Sequence, residues 1–304
     1  MSHLPSDQDY RCLFRALRLR LGEGLHWCPR AAGLWFVDIL ERQIYFWAAD
    51  DGDSQPKVWT LPERVGWVIP QQGTDSLLLG LQSGVARFRP LDAKLEEPLF
   101  RPWPADSPLR LNDAKADARG RIWAGSLNQG DESKPDGSLF CIDARSATGR
   151  TVDGGYCVAN GPAIHPAGRL LLHTDSVRRA IYAFDLEPAY GVLAGKRLWK
   201  QLPEAEGYPD GMTFDAEGCL WLAHWGSGCV SRYTPAGELL RRVSLPTSHI
   251  TNVCFGGGAL DRLFVTSAWA GLTAEQRAAQ PLAGAVFEID AQGVKGLPGL
   301  PALG

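Results

Sequence analysis

A turn-then-strand phrase returns six times along the 304-residue chain, and this return limits the fold more than any other feature. Four copies are close: Ala32-Gly33-Leu34-Trp35-Phe36-Val37, Arg119-Gly120-Arg121-Ile122-Trp123, Ala167-Gly168-Arg169-Leu170-Leu171 and Ala216-Glu217-Gly218-Cys219-Leu220-Trp221. Thr74-Asp75-Ser76-Leu77-Leu78 and Ala259-Leu260-Asp261-Arg262-Leu263-Phe264 are looser copies. With Trp35, Leu78, Trp123, Leu171, Trp221 and Phe264 as anchors, the spacing is roughly 43 to 50 residues, room for four short strands and their turns. The chain is therefore expected to be all-β, a six-bladed β-propeller with four-stranded blades, forming one domain over residues 1–304. The 34 glycines and 21 prolines fit this, because they punctuate short apolar runs.

Within each unit a third strand is predicted after the anchor, at Gln43 to Trp47, Val85 to Phe88, Gly137 to Ile142, Ala180 to Asp185, Gly228 to Tyr233 and Gly284 to Ile289. A propeller must close its ring, so the strand-like stretch at about residues 11–20 is expected to supply the outer strand of the last blade and remove an exposed edge. Leu272 to Ala279 reads as a short Thr-capped helix. The Gly/Pro-rich end, 296–304, is expected to be a flexible tail.

Eleven or twelve residues before five of the anchors stands a polar residue: Glu23, Asn112, Asn160, Asp210 and Asn252. Equivalent positions of successive repeats lie around one axis, so these five can converge on one point. Blade two has Trp67 there, read as an apolar wall. Carboxylates and amides are oxygen donors, the set preferred by hard divalent cations, and no His or Cys shares their register, which disfavours a closed zinc site. Asp113, Asp117 and Asp215 read as turn residues satisfying their own backbone. His26 and His224 are both read as structural histidines, the channel mouth being the alternative for His26. Tyr208 and Trp269 are read chiefly as packing residues.

Composition narrows the function. Hydrophobic residues make up 45% and charged residues 21%, as in a globular protein without a membrane span. The formal charge of −3, without a basic patch, argues against nucleic acid as a partner. Met1 to Tyr10 has no apolar signal segment, and the seven cysteines form no CxxC pair, so a cytoplasmic location with reduced thiols is expected, a Cys219–Cys229 bridge included among the exclusions.

Several of these residues also carry a family resemblance. Leu21-Gly22-Glu23-Gly24, Arg110-Leu111-Asn112-Asp113 with Trp123-Ala124-Gly125-Ser126, Val158-Ala159-Asn160-Gly161, Tyr208-Pro209-Asp210-Gly211-Met212, and Phe255-Gly256-Gly257 with Leu263-Phe264-Val265-Thr266-Ser267-Ala268 resemble the motifs of the SMP-30/gluconolactonase (regucalcin-like) family, over about residues 15 to 290. The resemblance implies a propeller that hydrolyses a sugar aldonolactone of the gluconolactone, xylonolactone or arabinonolactone type, with one divalent metal at the channel mouth (Ca, Zn, Mg, Mn or Fe). It implies Glu23, Asn160 and Asp210 as metal ligands, Arg110 and Asn112 as substrate contacts, the metal as Lewis acid and Asp210 as general base. The residues alone do not rank Glu23 against Asp210 as base; the resemblance does. Asn252 is left as a bystander.

Some family members carry a Glu shortly after the segment corresponding to Ala124-Gly125-Ser126; here acids come only at Asp131 and Glu132, within the connection 128–136. The implied partner is a small-molecule sugar lactone, and the expected state is a monomer or weak homodimer. Hydrolysis of another ester such as a phosphotriester, or a calcium-binding or protein-interaction propeller without hydrolase activity, are the alternatives the fold leaves open.

Overall fold

A computed structural model describes residues 10–49, 52 and 54–304. The expectation about a leader segment falls mainly on residues 1–9, outside the described residues. Six four-stranded antiparallel sheets succeed one another as blades. The innermost strands are Gly22–Cys28, Val65–Pro70, Leu109–Ala116, Ala159–Ile164, Tyr208–Phe214 and Ile250–Gly256. Every anchor lies on the second strand of its blade, and each predicted third strand is present, for example Gly137–Asp143 and Ala180–Glu187. Among the described residues no helix is long and apolar enough to cross a membrane.

The anchors explain the turns before them. Asp117 accepts from the backbone N–H groups of Arg119 (2.8 Å) and Arg121 (3.1 Å) and from the indole of Trp123 (3.0 Å). Asp215 does the same for Glu217, Cys219 and Trp221, and its second oxygen also takes Arg232 Nε at 2.8 Å. Between Asp and Trp, Gly120 and Gly218 sit at φ +72° and +79°, where a side chain is disfavoured. In blade four His165 takes the aspartate's place, its Nδ1 accepting from Ala167 N at 3.2 Å. Asp117 and Asp215 are thus the turn residues expected. Asp215→Ala would leave buried donors and the Arg232 guanidinium without an acceptor, so unfolding by urea should show a loss of about 3–5 kcal/mol.

Burial follows the blades. Six apolar clusters occur among the described residues, one between each pair of neighbouring blades, so the core is a ring around the channel. Trp67 belongs to the cluster between blades two and three, packed with Leu78 and Leu111. It is an inter-blade filler rather than the channel wall that its register suggested.

Two expectations are corrected at the chain ends. The closing strand is Tyr10–Cys12 rather than 11–20, paired as Tyr10 with Ile289, Arg11 with Glu288 and Cys12 with Phe287. After it the chain turns inward because Leu13, Phe14 and Leu19 fill the interface between blades one and six, Phe14 stacking on Phe36 at 6.0 Å. The tail does not fray. Gly296 N bonds Leu260 O (2.8 Å), Ala302 N bonds Pro70 O (3.0 Å) and Leu303 N bonds Gly120 O (3.0 Å), which straps 296–304 across blades at the channel end away from Glu23 and Asp210. The helix is Ala274–Ala279, with Thr273 and Gln276 forming a capping box. All seven cysteines are free.

Candidate active site

Each innermost strand is irregular at the same height. Its pairing with the second strand shifts register between Glu23 and His26, Val65 and Trp67, Leu111 and Ala114, Asn160 and Ala163, Pro209 and Met212, and Ile250 and Asn252. A bulge of this kind frees a residue from the ladder and re-aims its side chain, and here six of them ring one channel mouth. Blade two contributes only Gly66 at its bulge; a Cβ there would lie 2.4 Å from Asn112 O.

The side chains meet across the axis. Asn252 Nδ2 donates to Glu23 Oε2 at 2.9 Å and to Asp113 Oδ2 at 3.3 Å, joining blades six, one and three. Asn112 Nδ2 donates to Asn160 Oδ1 at 2.7 Å, and Arg110 Nη1 donates to Asn112 Oδ1 at 2.6 Å. Asn160 Nδ2 in turn donates to Ser176 Oγ (3.0 Å), which bonds Pro209 O (2.6 Å), tying blade four to the residue before Asp210. All five sequence-predicted residues, Glu23, Arg110, Asn112, Asn160 and Asp210, are buried in this one cluster.

Two residues were misread from sequence. Asp113 is not a mere turn residue: it is 1% exposed and joins Glu23 and Asp210 as a third carboxyl in the channel. Asn252 is no bystander, since it bridges two of the carboxyls. Its approach depends on Gly211, where a Cβ would lie 2.5 Å from Asn252 Nδ2. Ser176 had no sequence signal at all.

Three buried carboxyls and one buried guanidinium set the electrostatics of the cluster. Burial pushes Glu23 up to about 8, with Asp113 adding to the rise against the hydrogen bonds from Asn252 and Gly24 and the charge of Arg110. Asp210 is held well above the usual carboxylate range by burial, then by Glu23 and Asp113. Asp113 is raised by burial too. Asp210 Oδ1 is buried with no hydrogen-bond partner. His, Cys, Asp and Glu side chains alone make no metal-holding group of three among the described residues, so a ligand set would need the amide oxygen of Asn160 beside the carboxylates. An orphaned carboxylate oxygen among oxygen donors only fits a hard divalent cation, which would replace the protons these groups otherwise hold.

Arg110 is pushed down to about 10, chiefly by burial, and stays cationic at neutral pH; Glu132 is the leading charge acting to raise it. Asp131 turns instead to Ser133, whose Oγ lies at 2.6 Å. His26 is buried at the opposite end of the channel, where a Cβ on Gly299 of the tail would be 2.8 Å from its Nε2. His224 is buried with Nδ1 2.9 Å from Glu206 O, a structural role. Tyr208 carries Arg179 over its ring at 4.4 Å and Trp269 carries Arg277 at 3.9 Å.

A family model described as SMP-30/Gluconolactonase/LRE-like region matches residues 21–293. The chain belongs to this family. Among SMP-30/gluconolactonase relatives, L-arabinolactonase of Azospirillum brasilense is 34% identical over 271 residues, covering 89% of this chain and 88% of the relative. Regucalcin of Danio rerio is 31% identical over 287 residues, covering 91% and 93%. The solved luciferin-regenerating enzyme superposes with a TM-score of 0.89 at 26% identity, covering 97% of this chain and 99% of that one. The family's span reaches from the Leu21-Gly22-Glu23-Gly24 phrase to the end of the last blade.

Proposed function

We propose that this chain hydrolyses a sugar aldonolactone to the sugar acid with one bound divalent cation. The observation that carries the reading is the convergence of Glu23, Asp113 and Asp210 beside Arg110, with Asp210 Oδ1 left unbonded. Membership of a family that includes a relative named L-arabinolactonase supports a lactone as the substrate class. Glu23, Asn160 and Asp210 would hold the cation. When bound, it supplies Lewis-acid polarisation of the lactone carbonyl.

The remaining work falls to side chains. Asp210, ionised once the cation has replaced its proton, takes a proton from the attacking water as the new C–O bond forms. Arg110 has Nη1 committed to Asn112 Oδ1 and Leu111 O, so its other N–H groups serve sugar hydroxyls and the developing oxyanion. Asn112, fixed between Arg110 and Asn160, lies beside both the substrate contact and the amide ligand. Collapse of the tetrahedral intermediate breaks the ring C–O bond, the leaving alkoxide takes the proton back from Asp210, and the carboxylic acid formed ionises to a carboxylate and a released proton. The test is acid release from glucono-, galactono-, xylono- and arabinono-lactones with metal-supplemented protein: hydrolysis of at least one is expected, and none with any of them would overturn the reading.

A further inference from the structure

The anchors define a second ring of equivalent positions lower in the channel. Trp35, Leu78, Trp123, Leu171, Trp221 and Phe264 stand opposite His26, Ile69, Lys115, Ile164, Thr213 and Cys254 on the innermost strands. Five of these six, all but Ile69, line one cavity of about 340 Å³, and no residue of the acidic cluster borders it. The strapped tail forms one wall through Leu297 to Leu300. Leu25, Phe214 and Phe255 add further apolar surface.

Charge in this cavity is unbalanced. Asp117 is bound by the Arg121 side chain at 2.8 Å, so it is already neutralised. Lys115 is half-buried and makes no ion pair or hydrogen bond among the described residues; the acid its charge acts on is Asp113, which does not border the cavity. The Cys254 thiol is pushed up to about 12 by burial and does not supply an anion. His26 is pushed down to about 3 by burial and by Lys115, so it is neutral at ordinary pH. An ammonium without a contacting partner in a largely apolar cavity favours an anion whose body replaces water along the walls; a small hydrated anion would lose its hydration there without return.

We infer that this second mouth is a binding site for a small monocarboxylate with an apolar body, its carboxylate on Lys115 and its chain against Leu297 to Leu300. The site is separate from the lactone site and does not depend on the function proposed for it. A cavity of this volume lies in the range that holds small organic ligands.

Octanoate is the probe. Isothermal titration of the full chain should show saturable binding that persists under saturating gluconate, with acetate binding far more weakly. Lys115→Met should weaken octanoate by at least about tenfold, the loss of a charge-assisted contact. Lys115→Arg should retain binding. Leu300→Glu, on the exposed strap, should weaken it as well by like-charge repulsion, and this keeps the test open if the Lys115 variant folds poorly. Octanoate affinity unchanged from the unsubstituted chain in both Lys115→Met and Leu300→Glu, displacement by gluconate, or no binding at millimolar octanoate would each overturn the inference.

Discussion

Asp210→Asn is expected to lower kcat/KM for the preferred lactone by about 10³-fold or more, because loss of a general base alone costs 10²–10⁴ and a cation ligand is weakened with it. The same substitution should stabilise the metal-free protein. Asp210 sits against Glu23 and Asp113 in a buried cluster where like charges raise one another, and an amide removes one of them. The sign of the pH effect follows. For a carboxyl raised in the folded state, the native protein binds more protons than the unfolded chain, so stability is lowest at high pH and grows as pH falls through the raised value. Glu23 sets the upper edge of that window at about 8, and the window extends down to the ordinary carboxylate value of 4.5. Thermal melts in chelator between about pH 8 and 6 should therefore rise in Tm as pH falls, with a smaller rise in Asp210→Asn. Full hydrolysis by Asp210→Asn with cation bound would contradict the base assignment.

Arg110→Met is expected to lower kcat/KM by about 10²–10³-fold, the scale of losing a donor aimed at developing charge. Its charge acts to lower both Glu23 and Asp210, so its removal also makes the carboxyls harder to ionise. Arg110→Lys should not restore the rate. A lysine lacks the planar fork that keeps one nitrogen on Asn112 while the others face the substrate. Steady-state kinetics separate the outcomes, and unchanged kcat/KM would reduce Arg110 to a structural cation.

The blade period was open to sequence reading because each anchor is tied to a local turn, as Asp117 with Trp123 and Asp215 with Trp221 show. Local bonds leave local patterns. The register of Glu23, Asn112, Asn160, Asp210 and Asn252 was legible for the same reason. Asp113 was not, because strand alternation sends neighbours to opposite faces, and only the bulge between Leu111 and Ala114 lets Asp113 join the cluster together with Asn112. Asn252 was undervalued because its partners, Glu23 and Asp113, are 229 and 139 residues away in sequence.

The tail shows the same limit. Its Gly/Pro composition gives no sign that Pro70, Gly120 and Leu260 will offer backbone partners to Ala302, Leu303 and Gly296. Alternating Arg and Leu near the N-terminus read as a strand, yet Leu13, Phe14 and Leu19 are apolar filler between the first and last blades. Long-range packing decided both segments.

The most direct test of the account is a titration of metal-stripped protein with Ca²⁺, Mn²⁺ or Zn²⁺, following ion binding by calorimetry and acid release from the preferred lactone on the same sample. One ion per chain, with hydrolysis rising in step with occupancy and both lost together in Glu23→Gln, is the predicted result. Full hydrolysis by the stripped protein, or an ion bound with no effect on rate, would contradict it.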